Sequence, residues 1–279
     1  MTLRIGRIPY INCYPVYGAV DRGAVALRGE LVNGVPTVLN QMMATGALDV
    51  SVVSAVEYAR AWERYLLLPD LAISCDGPVR SVMLFSSRPA AELSGATVLV
   101  SRSSMTSVHL LEMLFDEVWH ATPVFLPGDA EAADVRMSPA DQSCAARLVI
   151  GDAALLLGTK TIPAPFEFVY DLGLEWKKWT GLPFVFAVWV AQRTADTRDA
   201  LTVHAALIES RDWGLNHLDA LATQAHQVTG VDVAACHEYL SGLDYGLSYP
   251  HLGGLTEFYR RLTLAGKVAP GRLAFLPAA

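Results

Sequence analysis

Two long apolar runs bracket a segment that carries its own strand and helix pattern. The first is Val79-Arg80-Ser81-Val82-Met83-Leu84-Phe85-Ser86, and the second is Pro183-Phe184-Val185-Phe186-Ala187-Val188-Trp189-Val190-Ala191. Both are rich in β-branched and aromatic residues, the composition of buried strands. A chain that leaves one body along the first run and comes back along the second builds two lobes, one inserted into the other. The expected division is residues 1–85 with 186–279 for a discontinuous first lobe, and 86–185 for the inserted second lobe.

The rest of the pattern fits an α/β protein. Strands are predicted at 3–8, 27–32 and 49–54, with helices at 15–21, 36–43 and 56–62. Pro36 sits near the start of its helix and Gly46 lies beyond its end, the usual placement of both residues. Such β-α-β-α order favours a mainly parallel sheet flanked by helices. Within the middle segment, a strand at 96–100 precedes a helix at 108–114, and another strand is expected at 148–150. After Thr197 the chain turns helical, at 198–215, 219–229, 232–240 and 255–264. Residues 131–142 are the least regular and read as a loop with weak helix.

Polar residues cluster where apolar strands end. Asn12, Ser54, residues 101–107 and Gly151-Asp152 follow strand runs; Asp76-Gly77-Pro78 and Thr180-Gly181-Leu182-Pro183 precede the two crossings. In open α/β folds, ligands bind outside the carboxyl ends of the strands. These six places are therefore expected to converge on a cleft between the lobes.

Of the 279 residues, 52% are hydrophobic and 18% charged, enough for a sizeable core and too apolar for disorder. The net charge of −7 argues against nucleic acid or an anionic membrane surface as partner. The first residues are broken by Pro9, Asn12 and Pro15, unlike an export signal, and no run of about 18 apolar residues predicts a membrane span. A cytoplasmic protein is expected. Cys13, Cys75, Cys144 and Cys236 are far apart and read as buried thiols, and the seven histidines form no His-Glu-x-x-His. Neither a metal nor a nucleotide cofactor is expected.

Ser103-Ser104-Met105-Thr106-Ser107 follows the strand Ala96-Thr97-Val98-Leu99-Val100 and opens the next helix. Free backbone N–H groups and the helix dipole make such a start an anion cradle. The stretch holds no Lys and no phosphate-loop glycine pattern, so a carboxylate suits it better than a triphosphate. A plain helix cap is the alternative.

Five blocks occur in an order that resembles the menaquinone-biosynthesis chorismate dehydratases. They are Ile8-Pro9-Tyr10-Ile11-Asn12-Cys13-Tyr14-Pro15, Cys75-Asp76-Gly77-Pro78-Val79-Arg80-Ser81, Ser104-Met105-Thr106-Ser107, Ile150-Gly151-Asp152-Ala153-Ala154-Leu155 and the long stretch Asp171-Leu172-Gly173-Leu174-Glu175-Trp176-Lys177-Lys178-Trp179-Thr180-Gly181-Leu182-Pro183-Phe184-Val185-Phe186-Ala187-Val188-Trp189. One departure is Ala145-Ala146, where the family often has Asp-Ala. The resemblance implies a two-lobed fold like the type II periplasmic binding proteins, and an enzyme without metal, nucleotide or flavin. It implies that chorismate is the small-molecule substrate and that it loses water to give 3-[(1-carboxyvinyl)oxy]benzoate. Two other readings share the fold: a non-catalytic solute-binding protein for small anions, and the sister enzyme dihydroxynaphthoate synthase.

The elimination asks for two bound carboxylates, a stabilised dienolate-like charge, removal of a ring proton and departure of a hydroxyl. Asn12 and Ser81 are the catalytic candidates, as uncharged groups that donate to developing charge. Asn12 as a helix cap and Ser81 as an ordinary strand serine are the alternatives. Ser104, Thr106 and Ser107, with Arg102, are expected to hold a carboxylate; Gly77, Gly151, Asp152 and Phe184 complete the binding set. Asp152 is either a base or a cap for the following helix. Phe184 and Phe186 either wall the substrate ring or sit in the core. No well-placed strong base stands out, which favours the substrate's own enolpyruvyl carboxylate as the proton acceptor.

Overall fold

A computed structural model describes residues 2–131, 144–159 and 166–277. The segment 132–143, which takes in nearly all of the irregular stretch, lies outside the described residues. The first sheet contains β1 (Arg4–Arg7), β2 (Glu30–Asn33), β3 (Val50–Ser54), β4 (Tyr65–Cys75) and β10 (Phe184–Gln192) in the order β2-β1-β3-β10-β4. The second contains β5 (Val82–Ser86), β6 (Thr97–Ser101), β7 (Val124–Gly128), β8 (Ala146–Ile150) and β9 (Phe168–Asp171) in the order β7-β6-β8-β5-β9.

Both sheets are mainly parallel, with one reversed strand in the same place. In the first, β2, β1 and β3 run together, β10 opposes β3, and β4 opposes β10, so β4 again runs with the others. In the second, β7, β6 and β8 run together, β5 opposes β8 and β9 opposes β5. The reversed strands are the two apolar crossings. A parallel βαβ connection cannot produce them, because each enters its sheet from the other body.

Ten α-helices are present among the described residues: α1 (Tyr14–Asp21), α2 (Pro36–Ala44), α3 (Ala55–Ala61), α4 (Thr106–Glu117), α5 (Gly151–Gly158), α6 (Leu172–Thr180), α7 (Thr197–Leu215), α8 (Leu218–Thr229), α9 (Val233–Ser241) and α10 (Tyr249–Leu264). Their ends follow local chemistry. Asp196 caps α7 by accepting from Arg198 N and Asp199 N, and Ser54 caps α3 by accepting from Glu57 N at 3.2 Å. Pro36 opens α2, and left-handed Gly181 and Gly230 close α6 and α8. None of the described helices is long and apolar enough to cross a membrane.

β4 has no counterpart among the predicted strands. The strand passes through Pro69-Asp70 with Asp70 at φ 54°. Arg211 of α7 holds that kink, donating Nη1 to both the carbonyl and the carboxylate of Asp70. The first crossing also differs in extent: pairing begins at Val82, so residues 79–81 form a turn before the strand. The large core includes fully buried Trp176 and Trp189, and Trp189 Nε1 donates to Tyr17 Oη at 3.0 Å. All four cysteines are buried.

Candidate active site

The ends of the parallel strands and the starts of the following helices meet between the two sheets. The cleft there has a volume of ≈ 70 Å³. Its polar lining is Tyr10, Asn12, Ser54, Ser81, Ser104, Thr106 and Ser107, and Gly151 adds backbone. No charged side chain lines it among the described residues. The positive character comes from helix starts: Pro36 opens α2, Ser54 caps α3, residues 104–107 open α4 and Gly151 opens α5. Four helix N-termini aimed at one cleft favour an anionic guest without placing a fixed cation there. A larger cavity, ≈ 370 Å³, lies by the C-terminal tail among Tyr58, Trp62, Tyr259 and Leu273, and none of the motif residues reaches it.

Asn12 lies in the short 3₁₀ turn Ile11–Cys13. It does not cap α1, whose N-cap is Cys13 without a side-chain bond. Its Oδ1 is buried at the cleft and has no hydrogen-bond partner among the described residues. Such an acceptor is costly to leave empty, so it is poised for a donor on the guest.

Ser81 is 3% exposed and still touches the cleft. Its Oγ reaches Val79 O only at 3.4 Å, and its carbonyl accepts from Gly151 N at 2.8 Å. The turn before it is strained, with Arg80 at φ 62°. Asp171 at the end of β9 holds that turn: Oδ1 accepts from Val79 N at 3.0 Å and Oδ2 from Arg80 N at 2.6 Å. The same carboxylate caps α6 through Leu174 N. Burial pushes the Asp171 carboxyl up, against the pull of these N–H donors.

The Ser/Thr loop caps its own helix start and lines the cleft. Ser104 Oγ accepts from Ser107 N at 3.2 Å, the cap reading, and keeps its own proton free to donate. Thr106 Oγ1 accepts from Val56 N of α3 at 3.2 Å, so it also ties the second lobe to the first. Ser107 is buried and lines the cleft.

Four of the expected positions turn out differently. Arg102 is exposed and turns toward β7, where its Nη2 donates to Pro127 O at 3.1 Å, so it is not a cleft residue. Gly77 is a turn-former: its φ of 133° suits glycine, its carbonyl accepts from Cys75 Sγ, and it is absent from the lining. Phe184 is core, 1% exposed and edge-on to Trp176 and Phe258. The aromatic wall is Phe186. β10 bulges there: Val185 pairs with Ser74 and Ala187 with Ile73, which leaves Phe186 as the extra residue. Asp152 does not cap α5. Its Oδ1 accepts from Ile11 N at 3.1 Å, joining the second lobe to the Asn12 turn. Burial pushes its carboxyl up to about 6, only partly offset by that N–H.

Two contributors, Tyr10 and Arg60, were not picked out beforehand. Tyr10 packs on Gly151, which has φ 64°; a Cβ there would approach the ring at 3.2 Å. The motif spelling carried Tyr10, but the sequence held no sign of its partner. Arg60 of α3 approaches His109 Nε2 at 3.2 Å beside the α4 start, a cation one layer outside the lining. No group of three or more His, Cys, Asp or Glu suited to a metal occurs among the described residues.

Similarities to known proteins fit this arrangement. The family described as menaquinone biosynthesis matches residues 3–263. A chorismate dehydratase of Thermus thermophilus is 31% identical over 271 residues, covering 92% of this chain and 96% of the relative. The Archaeoglobus fulgidus protein AF1704 superposes with a TM-score of 0.77 at 19% identity, covering 95% of this chain and 98% of that one. A Candida albicans protein described as having the generic periplasmic binding protein fold superposes at 0.64 with 12% identity, covering 100% and 98%. The two-lobed architecture is thus that of the periplasmic binding proteins, and the chain belongs to the menaquinone-biosynthesis family.

Proposed function

We propose that the protein is a chorismate dehydratase, a carbon–oxygen hydro-lyase that converts chorismate to 3-[(1-carboxyvinyl)oxy]benzoate and water. The observation that carries this reading is a cleft lined by neutral amide and hydroxyl groups at four helix starts, in a chain that resembles a curated chorismate dehydratase along nearly its whole length. Residues 1–85 with 186–279, and 86–185, are the two bodies that grip the substrate.

In the reaction, the ring C–H bond beside the ether oxygen breaks and its proton goes to a base. The electron pair shifts into the ring, charge spreads toward the ring carboxylate, and the neighbouring C–O bond breaks to release hydroxide. Proton and hydroxide together make the water, so the step is redox-neutral and needs no electron carrier. Asn12 and Ser81 act at the developing charge and the leaving hydroxyl. Ser104, Thr106 and Ser107, with the first amides of α4, hold a carboxylate. Phe186 covers the ring and excludes water.

The base is the substrate's own enolpyruvyl carboxylate, positioned next to the ring proton it takes. The lining supports this, because it offers donors and no carboxylate of its own. An intramolecular base needs orientation more than added charge, and orientation is what a cradle of fixed donors supplies. Asp152, committed to Ile11 N, serves as a clasp between the lobes.

The test is incubation of purified protein with chorismate, following the aromatic product by chromatography and absorbance. Product formation proportional to enzyme is expected. Saturable chorismate binding without consumption would replace this reading with the solute-binding one.

A further inference from the structure

The cleft has a volume of ≈ 70 Å³. Sites for small ligands commonly measure about 300–1,000 Å³, so the two lobes must part to admit a guest and close again around it. Much of what holds them together runs along α4. Thr106 Oγ1 accepts from Val56 N, and both terminal nitrogens of Arg60, in the last turn of α3, also reach α4. Nη1 donates to Met105 Sδ at 2.9 Å and Nη2 to His109 Nε2 at 3.2 Å. Met105 lines the cleft. His109 Nδ1 in turn meets Glu112 Oε2 at 2.9 Å, and Lys267, beyond α10, reaches the same oxygen at 2.9 Å.

Arg60, His109, Glu112 and Lys267 thus form one chain. Its ends belong to the first lobe and its two middle members to the second. An arginine side chain has only donors. His109 Nε2 therefore accepts, and the ring proton sits on Nδ1, which donates to Glu112. The His109 bond, joined by Lys267, holds the Glu112 carboxyl down to about 2 against the effect of burial. Farther along α4, Arg261 of α10 pairs with Glu117 at 2.6 Å. We infer that Arg60 and Lys267 are positioning residues for the Ser104–Ser107 cradle: the chain they complete through His109 and Glu112 is a latch that sets the start of α4 against α3 when the lobes close. Partly exposed ion pairs are individually weak, which lets the latch break at each opening.

The kinetic arm of the test rests on the chorismate reading, and the scattering arm does not. Arg60→Gln, Lys267→Gln and Glu112→Ala are assayed with chorismate. Binding confined to the closed form weakens in proportion as that form is depopulated. KM is expected to rise roughly threefold in each variant, with kcat within about twofold of the parent's, because the carboxylate held at α4 keeps its charge through the reaction. Glu112→Ala is the decisive case. It removes a negative charge, so simple attraction of an anionic substrate predicts a lower KM, whereas a broken latch predicts a higher one. A lower KM in Glu112→Ala, or an unchanged KM in all three variants, would overturn the inference. Small-angle X-ray scattering then compares the Arg60→Gln, Lys267→Gln double variant with the parent, both without chorismate. The double variant is expected to have the larger radius of gyration, and equal radii would overturn the inference. If the parent leaves chorismate unconsumed, the functional reading fails and the scattering comparison decides the latch by itself.

Discussion

The two crossing strands occupy equivalent places in their sheets, yet they are supported in different ways. β10 runs nine residues, is paired along both edges to β3 and β4, and is buried at nearly every position. β5 runs five residues between β8 and β9, and its ladder starts only after a turn with a left-handed arginine. The return strand is built as core. The outgoing strand begins with backbone held by external groups: Asp171 from one lobe and α9 from the other. The catalytic candidate Ser81 sits on the second kind of structure. Strain at a functional site persists only where its surroundings over-determine it, and here two elements do so.

The sharpest way to break this comparison is to damage each crossing separately. Trp189→Ala on β10 removes a fully buried indole and its bond to Tyr17. It is expected to cost about 3–5 kcal/mol of unfolding free energy. Chemical denaturation measures it; a loss below about 1 kcal/mol would refute the core assignment. Ser81→Ala is expected to leave the melting temperature almost unchanged while turnover falls about a hundred- to thousandfold, or ~3–4 kcal/mol. Asn12→Ala, whose Oδ1 has no partner to lose within the protein, is expected to behave the same way. If either variant keeps the parent's kcat, its catalytic role is wrong.

A smaller effect tests the support of the turn. Asp171→Asn leaves one carbonyl where Val79 N, Arg80 N and Leu174 N share two carboxylate oxygens. Loss of a charge-assisted bond predicts about 1.5–3 kcal/mol of destabilisation. Turnover should fall with it, since the misplaced residue is Ser81. Unimpaired kcat in a destabilised variant would show that the turn does not position the serine.

The smallest effect concerns the clasp beside β5. Asp152 has a folded-state carboxyl pushed up to about 6, by burial, from an ordinary value of 3.8. A raised acid contributes its stability fully below about 4 and loses it as pH rises through 6, because the folded site disfavours the ionised form. Asp152→Asn keeps a side-chain carbonyl for Ile11 N and stays neutral. It is therefore expected to be more stable than the parent at pH 7.5, by about 1–3 kcal/mol, and to match it near pH 4. Urea unfolding at the two pH values checks this, and a difference independent of pH would contradict it.

What could be read from the chain alone was local. The crossings, the strand-helix order and the Ser104–Ser107 cradle are signals written within a few residues. The convergence of Asn12, Ser54, residues 104–107 and Gly151 followed from one rule, that ligands bind outside the carboxyl ends of parallel strands; Ser81, ahead of the antiparallel β5, was legible only from its motif. β4 was not among the predicted strands, and its kink at Asp70 is held by a distant group, Arg211 of α7.

Tertiary structure decided everything that depended on a distant neighbour. Arg102 turned to the Pro127 carbonyl because β7 lies beside β6. Phe186 became the wall in place of Phe184 because β10 bulges against β4, a mismatch between two strands that neither one encodes alone. Asp152 was drawn to Ile11 N across a long stretch of chain. Strand ends and helix caps are short-range preferences of the backbone, so sequence determines them. Which buried donor meets which acceptor is settled only when the lobes and the C-terminal helices pack, because each polar group then takes the partner that packing leaves within reach.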